Sequence, residues 1–205
     1  MSPTKLPEWS AFQAAIVANP DDDTVRLVAA DFLEENGDAD RAAFIRIQVQ
    51  LAQLVTHPEV ETPEINQLRA KERAFLGPLS MFRMLWAAEA CPELVKMSAR
   101  GGGRDPLEAT TVDGVDRLRW HRGFVFWVRC SARDWQKHGV AIRKRLPVEH
   151  LSLTECDDLT VPDWLGMVPT LLGLRQLKYG WSPELSRLEW LRSILPGVNV
   201  IPLAF

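Results

Sequence analysis

The sequence has few of the features that mark secreted, membrane-spanning or strongly charged proteins. Its three cysteines, Cys91, Cys130 and Cys156, lie far apart and form no Cys-x-x-Cys motif, so we expect free thiols in a reducing compartment, the cytoplasm. No apolar run approaches the roughly 18 residues of a membrane-spanning helix, and the first residues lack the pattern of a signal peptide. A formal net charge of -3 gives no support for nucleic-acid binding through overall positive charge.

Motifs that identify enzymes are also missing. The chain contains no Gly-x-Ser-x-Gly, no His-Glu-x-x-His and no glycine loop followed by Lys-Ser or Lys-Thr. The histidines have no metal-ligand spacing to the cysteines. Glycines 101–103, between Arg100 and Arg104, could cradle a phosphate, but neither a strand nor a helix start adjoins them. A flexible linker is the preferred interpretation. We therefore predict no catalytic residue, no metal and no cofactor.

The N-terminal half has the apolar periodicity of amphipathic helices. The pattern predicts a helix over 7–18, a second from the aspartates at 21–23 to Gly37, and a third from Asp38 to His57. Two further helices are predicted, one from about Thr62 and one over about 80–94. We expect Gly37 at positive φ after the second helix, and Val28 on the buried face of that helix.

A dense acidic stretch joins the second and third helices and could be taken for a divalent-cation site. Cation-binding loops place their ligands at tight loop spacing, whereas these carboxylates span a helix, a cap and a turn. Helix capping and solvated helix faces account for each of them, and Asp31 is expected to pair with Arg46 or Arg41. The residues concerned are Asp31, Glu34, Glu35, Asp38 and Asp40. We predict structural roles for all five.

The same region carries a family resemblance. Residues 19–48 resemble the bacterial repeat-companion domain, an N-terminal module often followed by leucine-rich or other repeats. The matching motifs are Pro-Asp-Asp at 20–22, Arg-Leu at 26–27, Ala-Asp-Phe-Leu-Glu-Glu at 30–35, Gly-Asp at 37–38, Arg-Ala at 41–42 and Phe-Ile-Arg-Ile-Gln at 44–48. Ala29 and Ala43 depart from the family pattern, which has Tyr and often Glu there, and suggest local repacking. Residues 75–79 and 120–125 also resemble family segments. The resemblance implies no known activity.

The C-terminal half repeats the pattern apolar-x-x-apolar-x-apolar, which resembles leucine-rich repeats. The pattern starts at Val125, Val148, Leu174 and Val198, so successive starts differ by 23, 26 and 24 residues, within the range of such repeats. Cys156 falls where these repeats place Asn or Cys. A degenerate repeat arc and a plain α/β domain with a small parallel sheet both fit the pattern. Pro202 fits an edge strand.

Helical segments lie between the repeated units, and a hairpin precedes them. Ser131 is expected to cap the first of these helices, with Val140 among its apolar positions. The hairpin is predicted to turn at about His121 to Gly123. Together these patterns predict an α+β protein, in which an N-terminal helical unit packs on a short leucine-rich-repeat-like arc with a small, mainly parallel sheet. We assign 1–98 to the helical unit, 99–109 to a linker and 110–205 to the hairpin and arc.

The repeated spacing also predicts which side chains point away from the core. Alternate residues of a strand point to opposite faces, so the outward set is Trp127, Arg129, His150, Ser152, Gln176, Lys178, Val200 and Pro202. The first six are the candidate partner-binding residues, since Trp and Arg are enriched at interaction hot spots. The alternative is that Trp127 is covered by a loop or by the N-terminal helices.

We predict a non-enzymatic protein-protein interaction or adaptor module. One alternative is an accessory subunit of a complex that contains nucleic acid, such as a ribonucleoprotein or defence complex, contacted through a basic face near Arg129, Arg143 and Arg145. For the Arg-Lys-Arg run at 143–145, a solvated helix face is an equally good explanation. A second alternative is an enzyme of unrecognised type. The predicted partner is another protein, with nucleic acid only as part of a complex and no membrane.

Overall fold

The structure is a computed structural model that describes residues 2–55, 61–77, 80–99, 110–113, 117–180 and 185–203. A short 3-10 turn, Pro3–Lys5, precedes the N-terminal helices. These helices are α1 Pro7–Ala18, α2 Asp23–Glu35, α3 Ala39–Leu54, α4 Pro63–Leu76 and α5 Met81–Ala90. The strands are β1 Lys96–Ala99, β2 Thr110–Asp113, β3 Leu118–His121, β4 Phe124–Ser131, β5 His150–Thr154, β6 Gln176–Gly180 and β7 Asn199–Leu203. Helices α6 Ala132–Arg145, α7 Val161–Leu171 and α8 Leu185–Ile194 connect the last four strands.

Side chains cap the helices at the positions that the sequence indicates. Asp22 accepts a hydrogen bond from the Thr24 amide, and Asp38 accepts one from the Arg41 amide. Thr62 and Ser131 cap α4 and α6 in the same way. These bonds satisfy amides that have no partner inside their own helix, so the predicted helix starts are confirmed.

Gly37 ends α2 in the left-handed conformation. Its φ is +90°, its amide donates to the Glu34 carbonyl at 3.1 Å, and the following Asp38 amide donates to the Leu33 carbonyl at 2.8 Å. This pair of bonds is the Schellman arrangement, which glycine adopts without the steric cost of a β-carbon. The predicted break between α2 and α3 is therefore confirmed.

The acidic carboxylates near this break bond to groups of the helical hairpin. Arg46 of α3 donates to both Asp31 and Glu34 of α2 at 2.6 Å, so the expected pairing of Asp31 with Arg46 is confirmed. Both carboxylates are more than half exposed, and such surface pairs contribute little to stability. The described residues contain no group of three or more possible metal ligands.

Two valines that helical spacing assigns to buried faces are exposed, and those predictions are wrong. Val28 in α2 is 48% exposed and Val140 in α6 is 56% exposed. In α2 the buried face instead contains Ala29, Ala30 and Leu33, together with Arg26 at 2% exposure. The Arg26 guanidinium lies 5.7 Å from the centre of the Phe124 ring. Because a basic side chain occupies part of the buried face of α2, the spacing of apolar residues alone assigns the wrong residues to that face.

Strands β3 to β7 form one sheet in sequential order. β3 and β4 are antiparallel, while β4, β5, β6 and β7 are mutually parallel. The hairpin turns at Arg122 and Gly123, whose φ values are +50° and +83°, as in the turns that suit tight hairpins. The predicted hairpin and the parallel neighbours β5 and β6 are confirmed, as is the α+β class. β1 and β2 form a separate antiparallel pair.

The repeated apolar positions form the inward face of this sheet. Between Arg119 and Trp120 the pairing of β3 with β4 shifts by one residue and leaves Phe126 unpaired. This bulge changes the alternation, so the side chains of both Val125 and Val128 enter the core. The inward residues at 125, 128, 130, 148, 151, 153, 174, 177 and 179 are all at most 3% exposed. The predicted burial of Leu151, Leu153, Leu174 and Leu177 is confirmed.

The last strand has a different phase from the one that its spacing predicts. Val200 pairs with Leu177 and is 1% exposed, so it belongs to the inward face. Ile201 pairs with Lys178 and lies on the outward face. Pro202 pairs with Tyr179, on the inward side of the register, and is exposed at the edge of the sheet. The outward assignment of Val200 and Pro202 is therefore wrong, because a one-residue shift exchanges the two faces of a strand.

The helical half and the sheet share hydrophobic cores. The largest core combines the inward strand residues with α6, α7 and α8, and with residues 87–95 at the end of the helical half. A second core combines α1, α2 and α3 with Phe124 of β4. Cys91, Cys130 and Cys156 are all buried, and none of them forms a disulfide bond. Ala99, in the predicted linker, pairs with Thr110 in the separate strand pair, and glycines 101–103 lie outside the described residues. Among the described helices, none is long and apolar enough to cross a membrane.

Candidate functional site: the open face of the sheet

The candidate site is the face of the five-stranded sheet opposite to the helices that connect its strands. Trp135, Trp164 and Leu191 from these helices join the core on the inward face, which leaves the other face to the alternate strand residues. We call this surface the open face. It is formed by Arg119, Trp127, Arg129, His150, Ser152, Gln176, Lys178, Asn199 and Ile201.

The strand register arranges these side chains in two rows. The first row runs through Trp127, His150, Gln176 and Asn199, which pair in succession across four parallel strands. The second row runs through Arg129, Ser152, Lys178 and Ile201. The structure therefore places all six predicted site residues on one surface.

Trp127 is the largest side chain of the open face. It is partly exposed and belongs to none of the hydrophobic cores of the described residues. The guanidinium of Arg119, its partner on β3, lies 5.6 Å from the centre of the indole ring. This distance is within the range of a cation–π contact. An indole ring with one face on an arginine and part of its surface in solvent offers apolar area to a partner.

Ser152 does not have the accessibility that its outward position predicts. It is 3% exposed, and it lies in register between Arg129 and Lys178 on the flanking strands. A short side chain between two long ones lies at the bottom of the surface. Ser152 therefore leaves a depression between the two cations, and a direct contact by Ser152 needs a ligand that reaches between them. The prediction that Ser152 is accessible is wrong.

An aromatic group borders the start of the first row. The Phe126 ring lies 5.3 Å from the ring of His121 and 5.4 Å from the ring of His150. Phe126 and Arg119 are not among the residues predicted for the site. The bulge that exposes Phe126 has no clear sequence signal, whereas Arg119 could have been found from the alternation of Leu-Arg-Trp-His in β3.

The basic run at the end of α6 is bound into the fold. Arg143 donates to the backbone carbonyls of Val148 and Leu172, and burial holds its pKa below the ordinary arginine value. Arg145 forms a two-bonded ion pair with Glu93 at 2.7 and 2.8 Å. Lys144 alone of the three is fully on the surface. Arg143 and Arg145 therefore form contacts within the fold, whereas from the sequence we considered them as part of a basic face or of a solvated helix face.

A second concavity lies between α3, α4 and the β3–β4 hairpin, with a volume of about 270 Å³. Its central polar side chain, Gln48, donates to Glu72 at 2.7 Å and accepts from the Gly123 amide at 2.6 Å. Arg122, on its wall, bonds to the Asp21 carbonyl. Gln48, Glu72 and the Gly123 amide are thus engaged with one another, and the Asp21 carbonyl holds Arg122.

The cysteines have none of the properties of reactive thiols. Burial raises the pKa of Cys91 to about 12, and burial also raises the pKa of Cys130 far above its ordinary value. A thiol acts as a nucleophile in its thiolate form, which these surroundings disfavour. Cys156 is buried, and its thiol contacts the Thr154 carbonyl at 3.7 Å, consistent with a structural role in the turn after β5.

No protein-family model, no curated protein and no solved structure matches this chain.

Proposed function

We propose that this protein is a non-enzymatic interaction module whose open face binds another protein. The observation that carries the proposal is the position of Trp127. A partly exposed indole lies beside Arg119 and Arg129 on a surface that the connecting helices leave free. Tryptophan and arginine are the residue types most enriched at interaction hot spots, and truncation of Trp127 should weaken partner binding by about 2 kcal/mol or more.

We further propose that the chain is a relative of the repeat-companion domain and acts in the cytoplasm. The support for the first point is that the two stretches carrying the resemblance contact one another. Gln48, in the Phe-Ile-Arg-Ile-Gln motif, binds the Gly123 amide, and Phe44 lies 5.8 Å from Trp120 between ring centres. The support for the second point is that all three cysteines are buried and none forms a disulfide bond, as expected for a protein of a reducing compartment.

The alternative is an accessory subunit of a complex that contains nucleic acid. Its support is the combination of Arg119, Arg129 and Lys178 with an accessible aromatic ring, which is also used to bind single strands. The engagement of Arg143 and Arg145 within the fold removes two of the three arginines on which this alternative first rested. We therefore keep protein binding as the proposal.

The test compares the proteins that copurify with the wild-type chain and with Trp127→Ala from the cells that express it. The matched control is Leu165→Ala, because Leu165 is 50% exposed on α7, away from the open face. Quantitative mass spectrometry should show proteins that are lost with Trp127→Ala and retained with Leu165→Ala. Gln176→Tyr, which adds bulk on the same row of the open face, should lose the same proteins. Equal recovery with all four baits would contradict the proposal.

A further inference from the structure

We propose that the open face recognises an acidic, extended segment of its protein partner. This inference rests on the proposed function and adds the chemistry of the partner. It follows from how the arginines of the described residues are used: most are paired within the fold, while those on and beside the open face have no acceptor among the described residues.

Paired arginines are the rule in the described part of the chain. Ten arginines donate to a carboxylate or to a backbone carbonyl: Arg26, Arg41, Arg46, Arg69, Arg122, Arg133, Arg143, Arg145, Arg175 and Arg192. Arg119, Arg129 and Lys178 of the open face have no such acceptor among the described residues, and Arg73, which is exposed on α4, has none there either. The chain has more acidic than basic residues, 27 against 24, so scarcity of carboxylates does not explain their lack of partners.

Two further arginines extend this positive surface. Arg117 lines a cleft of about 390 Å³ with Arg129 at the end of β4, and Arg83 lines a cleft of about 360 Å³ with Arg119 and Phe126. Neither side chain has an acceptor among the described residues. A concentration of unpaired cations on one face of a protein with net charge -3 creates a local positive potential that favours a negative partner.

The spacing of the cations fits an extended peptide that crosses the strands. Arg119, Arg129 and Lys178 are on β3, β4 and β6, and neighbouring strands lie about 4.8 Å apart. Arg129 and Lys178 are therefore about 10 Å apart, the length of roughly three extended residues at 3.3 Å each. In a polyproline II segment, which has three residues per turn and a rise of about 3.1 Å per residue, the first and fourth side chains lie on the same side, so carboxylates at these two positions would reach both cations, on either side of Ser152.

The surroundings of the cations favour a peptide over a nucleic acid. Glu155 and Asp134 line the same cleft as Arg117 and Arg129, so a continuous phosphate backbone would meet carboxylates at the end of β5. Glu155 is exposed. A segment with a few separated carboxylates can contact the cations and avoid these two side chains. Arg119 also remains stacked on Trp127, where the indole can accept apolar groups of a peptide beside its carboxylates.

The inference is tested with three fluorescent probes and the purified full chain. The probes are a decapeptide with glutamate at every third position and glutamine elsewhere (the glutamate peptide), a decaglutamine peptide of the same length, and a ten-nucleotide thymidine oligonucleotide. Fluorescence anisotropy should show the glutamate peptide binding at least tenfold tighter than decaglutamine and than the oligonucleotide. The binding should weaken as the salt concentration rises, because added ions screen exposed charges.

The variant Arg129→Glu with Lys178→Glu should reduce the affinity for the glutamate peptide at least tenfold. Its matched control is Lys71→Glu with Lys137→Glu, which reverses two exposed charges on α4 and α6 and should leave the affinity within twofold. Equal affinity for the two peptides, or an equal effect of both double variants, would overturn the inference. Tighter binding of the oligonucleotide would overturn it in favour of nucleic acid.

A failure of this inference can be separated from a failure of the proposed function. Both double variants are also used as baits for the proteins that require Trp127. Loss of these proteins with Arg129→Glu and Lys178→Glu, but not with the control, supports an acidic partner. Their retention with both double variants overturns the acidic segment and leaves the protein-binding role of Trp127 intact.

Discussion

Gly123 is a residue at which the hairpin lies close against helix α3. A β-carbon at this position would lie 2.9 Å from the Ile45 α-carbon and 2.5 Å from the Ile45 side chain. Its φ is +83°, and its amide donates to Gln48. Glycine is required here both by the backbone conformation and by the approach of α3. Gly37 provides a comparison, because its φ is +90° and a β-carbon there would meet no atom within 4 Å.

We expect Gly123→Ala to destabilise the protein by about 2–4 kcal/mol, since it combines overpacking with left-handed strain. Gly37→Ala should cost only about 1 kcal/mol, because it introduces the strain alone. Urea unfolding measures the free energy of unfolding of both variants. The difference between their losses is the cost of packing a methyl group at residue 123 against α3. Equal losses of stability would show that α3 moves away without cost.

The three cysteines should be almost unreactive in the folded protein. All three are buried, and burial raises the pKa of Cys91 and of Cys130, so at pH 8 the folded chain holds far less thiolate than the unfolded chain. We expect a thiol reagent such as Ellman's reagent to react on the order of a hundredfold more slowly with the native protein than with the urea-unfolded protein. One thiol that reacts rapidly before unfolding would identify a locally open segment.

At the residue scale, rules that involve only neighbouring residues predict helix caps and backbone conformation better than they predict which side chains are buried. The caps at Asp38 and Ser131 and the conformation of Gly37 follow from bonds among neighbouring residues, so the sequence is sufficient to predict them. The burial of Arg26 and Ser152 depends on Phe124 and on Arg129 and Lys178, which are distant in the chain. No local pattern contains that information.

At the scale of the elements, the repeated spacing predicts the order and pairing of the central strands. The pattern succeeds for β4, β5 and β6 and fails at β7. There the core accepts Val200 in place of Ile201, because pairing with Leu177 determines the phase of the edge strand. An apolar residue on each face of β7 makes both phases plausible from sequence, and only the register distinguishes them.

The central strand β5 should be the most sensitive to truncation. Leu151 is 1% exposed between Val128 and Leu177, and Leu151→Ala should cost about 2–5 kcal/mol, as expected for core leucines. The matched variant Leu165→Ala removes the same atoms from a side chain that is 50% exposed on α7 and should cost less than about 1 kcal/mol. Thermal or urea unfolding compares the two. Similar losses in the free energy of unfolding would show that the core relaxes readily around the truncated side chain at residue 151.

At the scale of the whole molecule, the two halves are joined by side chains that cross between them. Phe124 belongs to the sheet but packs in the core of α1, α2 and α3, with its ring centre 6.0 Å from that of Trp9. In the other direction, Cys91 and Leu94 follow α5 but pack in the core of the sheet.

Ion pairs also join the two halves: Arg145 of α6 pairs with Glu93, while Arg175 pairs with Asp21 beside α2. Sequence patterns separate a helical unit from a sheet unit, because periodicity reports each element and not the contacts between elements.

These crossing contacts predict that the helices and the sheet unfold together. Phe124 is 3% exposed, so Phe124→Ala should lower the free energy of unfolding by about 3–5 kcal/mol. The loss should be the same for the slowest-exchanging amides of α3 and of β5, measured by native-state hydrogen exchange, because one global opening would expose both. Val140→Ala, at an exposed position on α6, serves as the control and should shift neither set. If Phe124→Ala lowered protection in α3 and left β5 unchanged, the helical half would be an independently unfolding unit, and Phe124 would belong to it rather than join it to the sheet.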